Sequence, residues 1–189
     1  MIKAIIFDCF GVLTTDGWEP YCRHYFSAQK DKLKRAKNYE KELNLGHIRY
    51  DEFLQSVASL AEVSVYEAKR FIDDNTKNKQ LFSLIRSLKT NYKIGLLSNA
   101  GANWLEELFN TDEISLFDDI VLSCEVGLTK PDIKIYQLCV SRLGIEPAES
   151  ILIDNSARYC EGAKKAGLKA LQYESYDDLI AQLTITSIL

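Results

Sequence analysis

Residues 4–8 read Ala4-Ile5-Ile6-Phe7-Asp8: four apolar side chains in a row, stopped by a carboxylate. A strand with one face in water alternates apolar and polar residues. An unbroken apolar run is how a strand buried on both faces reads. Three further runs have the same character: Ile94-Gly95-Leu96-Leu97, Ile120-Val121-Leu122 and Ile151-Leu152-Ile153, with a weaker fifth from Leu168 to Tyr173. Helical patterns lie between them. Leu81, Leu84, Ile85 and Leu88 fall at helical spacing, as do Trp104, Leu105 and Leu108. Ile135, Leu138, Cys139 and Leu143 repeat the pattern and stop at Gly144, a residue type suited to a helix C-cap. Alternating strands and helices imply parallel strands joined by right-handed crossovers. The expected fold is therefore α/β, a doubly wound parallel sheet.

The gap between the first and second runs is too long for one crossover. Residues 15–76 carry no strong strand pattern and read as several helices rich in Lys, Glu and Tyr. Ser64 with Glu67 has the form of a capping box opening a helix through Ile72, and Asp51 precedes an apolar helix containing Phe53, Leu54, Val57 and Leu60. Trp18, Tyr21, Tyr25 and Phe26 read as core for this segment. The expected organisation is a core of residues 1–14 and 77–189 with a helical insert at 15–76. Lys30, Lys32, Lys34, Arg35 and Lys37 form a basic stretch within the insert. It reads first as a solvated helix face, and alternatively as a positive lip drawing in anionic substrates.

Composition bounds the function. The chain has 189 residues, 27 acidic against 23 basic, and a net charge of −4, so it lacks the basic surface that nonspecific nucleic-acid binding requires. An apolar content of 47% argues against disorder. No apolar run reaches the roughly 18–20 residues that span a bilayer, so no membrane partner is expected. The opening Met1-Ile2-Lys3 leads too soon to Asp8 for a signal peptide. Cys9, Cys22, Cys124, Cys139 and Cys160 are odd in number and scattered, with no zinc spacing. They fit a reducing compartment, and a cytoplasmic protein is expected.

In open parallel sheets, ligands bind beyond the carboxyl ends of the strands. The residues that follow the runs are thus the site candidates: Asp8 after the first, Ser98 and Asn99 after the second, Ser123, Glu125 and Lys130 after the third, and Asp154, Asn155 and Ser156 after the fourth. Any one of these alone reads as a loop or capping residue; Asp154 or Ser156 would serve as N-cap of a helix near 157–166. Four strand ends together do not. Asp8 suits a nucleophile or a metal ligand, and the oxygen-rich neighbourhood suits Mg²⁺. Lys130 suits charge neutralisation on a phosphoryl group. There is no GxxxxGK[ST] loop, no GxGxxG after the first run and no GxSxG, which disfavours P-loop nucleotide, dinucleotide and serine-hydrolase sites.

These residues resemble the motifs of the haloacid dehalogenase superfamily of hydrolases. Phe7-Asp8-Cys9-Phe10-Gly11-Val12-Leu13 is similar to its first motif and Leu97-Ser98-Asn99-Ala100 to its second. Gly127-Leu128-Thr129-Lys130-Pro131-Asp132 is similar to the third. Ile151-Leu152-Ile153-Asp154-Asn155, with Glu161-Gly162-Ala163 downstream, is similar to the fourth. The resemblance implies a phosphatase acting on a small phosphorylated or otherwise anionic metabolite, with the insert as a small helical cap. It implies Asp8 as nucleophile through an aspartyl-phosphate intermediate. Ser98 and the Asn99 backbone would hold phosphoryl oxygens, and Lys130 would balance charge. Mg²⁺ would sit between Asp8, the backbone carbonyl of Phe10 and the fourth-motif acid, Asp154 or Asn155.

Two departures stand out. Phosphatases of the superfamily usually carry a second Asp two residues after the nucleophile, which protonates the leaving alcohol; here that position is Phe10. Counting back from Gly162-Ala163 places the fourth-motif pair at Asp154 and Asn155, so the second position is a neutral amide; a one-residue shift puts Asp154 on the metal instead. Two alternatives follow. The dehalogenase branch also lacks the second Asp, which favours a 2-haloacid C–X hydrolase, with Arg23 or Arg49 as candidates to hold halide. The paired losses at 10 and 155 favour a weakly active or non-catalytic binding protein. His24 and His47 are the candidates for a substitute acid.

Overall fold

The unbroken runs form the sheet. In the computed structural model, which describes residues 1–101 and 104–189, the strands are β1 (Ala4–Phe7), β2 (Lys93–Ser98), β3 (Asp119–Leu122), β4 (Ser150–Asp154) and β5 (Lys169–Gln172). They lie in the order β3-β2-β1-β4-β5, every pair parallel. Phe7 is in register with Leu96 on one side and Ile153 on the other, so the chain leaves β1 at the centre of the sheet's carboxyl edge.

Helices fill the intervals. The first four are α1 (Trp18–Phe26), α2 (Lys30–Asn44), α3 (Tyr50–Ala61) and α4 (Val65–Ile72). Then come α5 (Lys79–Leu88), α6 (Leu105–Leu108), α7 (Thr111–Ile114) and α8 (Ser123–Val126), followed by α9 (Ile133–Leu143), α10 (Ala157–Lys165) and α11 (Tyr176–Ile185). Successive strand side chains point to opposite faces, and the core divides accordingly. Ile5 and Phe7 pack with Leu81 and Ile85 of α5 and Leu179 of α11. Ala4 and Ile6 pack with Ile135 and Cys139 of α9 and Ala163 of α10. Both faces are dry, which is why the strands show no alternation.

α1–α4 enclose a third apolar cluster, built around Tyr21, Phe26, Phe53 and Val57. The Tyr21 hydroxyl is buried and donates to the Val57 carbonyl at 3.1 Å. The chain enters and leaves these helices side by side: Thr15 N–H donates to the Thr76 carbonyl at 2.9 Å, and Thr14 bridges Lys77 antiparallel.

Three local expectations need correction. The capping box at α4 is only half made: Ser64 Oγ accepts from Glu67 N–H at 3.1 Å, but the Glu67 carboxylate accepts from the Tyr25 hydroxyl at 3.0 Å instead. Asp51 lies inside the first turn of α3, where a carboxylate suits the helix dipole, and Arg49 is the N-cap. The Trp104–Leu108 pattern yields only the single turn of α6, because Phe109 turns extended and buries itself while Asn110 caps α7. No helix among the described residues is long and apolar enough to cross a membrane.

Phe26 is fully buried and meets Tyr21 edge-on, with ring centroids 5.9 Å apart. Phe26→Ala is expected to cost about 3–5 kcal/mol, read as a lower midpoint in urea unfolding.

Candidate active site

The carboxyl edge of the sheet carries a buried ion triad. Asp8 continues β1 by one step, its N–H donating to the Ile153 carbonyl at 2.9 Å, which holds it beside the end of β4. Lys130, brought in from the loop after α8, places its Nζ 2.7 Å from Asp8 Oδ1 and 2.6 Å from Asp154 Oδ2. Asp8 is 6% exposed, Lys130 3% and Asp154 0%. Burial pushes the Asp8 carboxyl up to about 7, opposed by the Lys130 charge and reinforced by that of Asp154. Burial works against the Lys130 ammonium, but the two carboxylates outweigh it and raise its pKa. Two carboxylates and one ammonium leave this floor one negative charge in excess.

Lys130 is gripped from behind as well. Its N–H donates to Asn99 Oδ1 at 2.7 Å, and Asn99 Nδ2 donates back to the Lys130 carbonyl at 3.0 Å. The Tyr159 ring lies 4.9 Å from Nζ, and its hydroxyl accepts from Asn99 Nδ2 at 3.3 Å. The Asn99 side chain is therefore a clamp on Lys130, a role the strand-end position alone does not reveal. Tyr159 was not among the expected site residues. The signal that could have found it is its spacing, one helical turn after Ser156 on α10. Ser123 Oγ accepts from Ala100 N–H at 3.0 Å and pins the loop after β2, which makes it a structural residue.

Ser98 is fully buried, and its Oγ has no hydrogen-bond partner among the described residues. A buried hydroxyl without a partner costs roughly 1–3 kcal/mol, so this one is suited to an incoming oxygen. Asp154 has both oxygens engaged: Oδ2 with Lys130, and Oδ1 accepting from Ser156 N–H at 2.8 Å. Asn155 is exposed and lies over Gly11, where an added Cβ would sit 2.1 Å from its Nδ2. Gly11 also has φ +85°, so both close approach and backbone conformation call for glycine there. Of the fourth-motif pair, Asn155 thus turns toward the first-motif loop, and Asp154 turns toward Lys130.

Above the floor opens a cavity of about 920 Å³ whose lining includes Asp8, Phe10, Lys130, Asn155 and Tyr159 from the sheet edge. Trp18, Glu40, Tyr50 and Phe53 line it from α1–α3. Phe10 packs on Trp104 with ring centroids 4.9 Å apart. Arg49 lines the cavity but is exposed and bound to Asp51 at 2.6 Å; Arg23 is not in the lining. His24 packs on Tyr25 and Phe71, and His47 pairs with Glu42 at 2.8 Å, so neither histidine lines the cavity as a substitute acid. No lysine of the basic stretch of α2 lines the cavity: Lys32 pairs with Glu62 at 2.8 Å, and Lys37 sits behind the wall, paired with its Glu19 and Glu40. It is α2's Glu40, Leu43 and Asn44 that reach the cavity.

The family model for haloacid dehalogenase-like hydrolases matches residues 2–167. The chain belongs to that family. A D-ribitol-5-phosphate phosphatase of Bacteroides thetaiotaomicron is 25% identical over 205 residues, spanning 98% of both chains. A glyceraldehyde 3-phosphate phosphatase of Methanothermobacter thermautotrophicus is 33% identical over 98 residues, but the match spans 49% of this chain and only 42% of that enzyme. Among solved structures, a family enzyme from B. thetaiotaomicron in complex with magnesium and inorganic phosphate superposes with TM-score 0.74 at 23% identity, covering 95% of this chain and 99% of that one.

The triad's excess charge gives a stability prediction. The carboxyl of Asp8 is raised by folding, so its contribution is fully present below about pH 4 and is lost as pH rises through about 7. Asp8→Asn leaves a neutral Lys130–Asp154 pair. It is expected to be more stable than wild type at pH 8 by roughly 1–4 kcal/mol, with a flatter stability profile between pH 4 and 7, measured by urea unfolding across pH.

Proposed function

We propose that the protein is a phosphomonoester hydrolase working through an aspartyl-phosphate on Asp8. The observation that carries this reading is the buried Asp8–Lys130–Asp154 triad, whose Asp8 and Lys130 line the floor of a half-open cavity, with the unpartnered Ser98 hydroxyl beside the same strand ends. An Asp8 oxygen attacks phosphorus, and the bond to the leaving oxygen breaks as the new bond forms. Water then attacks the phosphorus of the acyl phosphate, releasing inorganic phosphate and restoring the carboxylate. Lys130, held by the Asn99 amide and the Tyr159 ring, offsets charge on the phosphoryl oxygens without needing to move. Ser98 donates to one of those oxygens. The helices α1–α4 act as a cap that excludes water.

The donors at the sheet edge fit a hard cation. Mg²⁺ is commonly held by one or two carboxylates together with substrate phosphate and water. Asp8, the Phe10 carbonyl and the Asn155 amide would hold it, while Asp154 stays with Lys130. When bound it would supply charge stabilisation of the phosphoryl group. Among the described residues no group of three or more His, Cys, Asp or Glu side chains is placed to hold a metal ion, so this set is lean in charge.

The C–X hydrolase reading requires a free cation for the carboxylate of a 2-haloacid. Among the described residues of this cavity wall the only one besides Lys130 is Arg49, which Asp51 already engages. No chloride release from 2-chloropropionate is expected.

Phe10 cannot pass a proton to the leaving group. Aryl and acyl phosphates should therefore outpace alkyl phosphates by about 10²–10⁴-fold beyond the substrates' intrinsic difference, the usual worth of a general acid. Phe10→Asp should flatten the dependence of kcat/KM on leaving-group pKa. Asp8→Asn should abolish turnover; hydrolysis surviving unchanged in that variant rules Asp8 out as nucleophile. A wild-type protein that turns over neither aryl nor acyl phosphates with Mg²⁺ present is the binding protein instead.

A further inference from the structure

The charge on the cavity wall is opposite to what a phosphate dianion would select. Beyond the floor triad, the lining carries Asp16, Glu19, Glu40, Asp73, Glu107 and Glu125. Lys37 answers Glu19 and Glu40, and Lys69 answers Asp73. The one guanidinium, Arg49, is bound to Asp51. Asp16, Glu107 and Glu125 have no ion-pair partner among the described residues. The rest of the wall is mixed: rings and aliphatic side chains such as Phe10, Trp18, Tyr50, Phe53, Trp104 and Leu108, with the neutral amides of Asn44 and Asn75 and the hydroxyl of Ser156 between them. A second anionic group on a substrate would therefore meet carboxylates, ring faces and a few neutral amides, with no free cation among the described residues to receive it. A positive charge there would be attracted by both the carboxylates and the ring quadrupoles.

We propose that the cavity selects a phosphomonoester whose leaving group is a bulky apolar or aromatic body bearing a positively charged nitrogen and no second anion. This rests on the phosphoryl-transfer reading above and adds the class of leaving group. The phosphate sits on the floor against Lys130 and Ser98, and the cationic nitrogen meets the wall's unpaired carboxylates, Asp16, Glu107 and Glu125. The cavity, at about 920 Å³, is large enough for a body of that size. The positive end also offsets the repulsion that the wall exerts on the entering phosphate.

A matched set of substrates tests this: phenyl phosphates carrying, one methylene from the para position, a trimethylammonium, a hydroxyl or a carboxylate. Rates are corrected for phenol pKa with a neutral aryl series. The expected order of kcat/KM at low salt is cation, neutral, anion. Cation should exceed anion by about tenfold or more, the scale set by unit charges roughly 8 Å apart at intermediate dielectric. The spread should shrink at 1 M salt, where screening acts within about 3 Å. Asp16→Asn and Glu125→Gln together should narrow it several-fold. Equal rates or the reverse order overturn the charge assignment while leaving the phosphatase reading intact, and so does an undiminished spread in the double variant. If none of the three is hydrolysed, the phosphatase reading fails. The assignment is then read from the free phenols by quenching of Trp18 and Trp104, the only tryptophans in the chain and both in this wall. Tighter binding of the ammonium phenol than of the carboxylate supports the assignment, and equal binding overturns it.

Discussion

The buried ammonium of Lys130 holds the site together. Two carboxylates brought to the carboxyl edge by adjacent strands, Asp8 from β1 and Asp154 from β4, would repel one another across a dry floor without it. A buried ion set of this kind is weak evidence for stability, since desolvating the charges costs about as much as their attraction returns. What it secures is position. The Asn99 amide grips the Lys130 backbone from both sides, and the Tyr159 ring closes off the remaining face. Each of those groups comes from a different strand end, so the triad forms only when β2, β1 and β4 are already side by side.

The sheet's dryness and the site's wetness have one origin. Strands covered on both faces expose polar side chains only where they end, and all five end on the same edge because all are parallel. The helices α1–α4, between β1 and α5, pack on their own apolar cluster and lend the cavity a second wall. Their connection through paired extended segments at Thr14–Thr15 and Thr76–Lys77 sets that wall directly above Asp8's loop.

Strand identity and the polar edge were legible in the sequence because both follow from local pattern: unbroken apolar runs, each ended by an oxygen- or nitrogen-bearing side chain. Side-chain direction was not. Asp154 and Asn155 are neighbours in the chain, yet one turns inward to Lys130 and the other outward over Gly11, a choice made by strand pleat and by the missing Cβ of a residue 144 positions away. The use of Asn99 as a clamp depends on where the Lys130 loop lands, which no spacing encodes. The basic stretch on α2 shows the same limit. Helical periodicity locates its residues on the helix but leaves unstated that Glu40, not the lysines, turns toward the cavity.

Phe10 and Asn155 are best understood together. Each occupies a place where the family pattern usually puts an acid, and both flank Asp8 on the cavity lining. Two more carboxylates there would take the floor from one excess negative charge to three, and burial already pushes Asp8 up to about 7 with only Asp154 as a like neighbour. A third and fourth acid would push it further, so that a bound cation would be needed to keep Asp8 ionised at neutral pH. Replacing them with a ring and an amide removes that need in part, because Lys130 then leaves one negative charge in excess instead of three. On the proposed reading, the same two residues also leave the site without a proton donor and with one charged metal ligand fewer. On the proposed phosphatase reading, a missing acid and a leaner cation site are then one electrostatic adjustment, which would shift the burden of bond cleavage onto the leaving group itself.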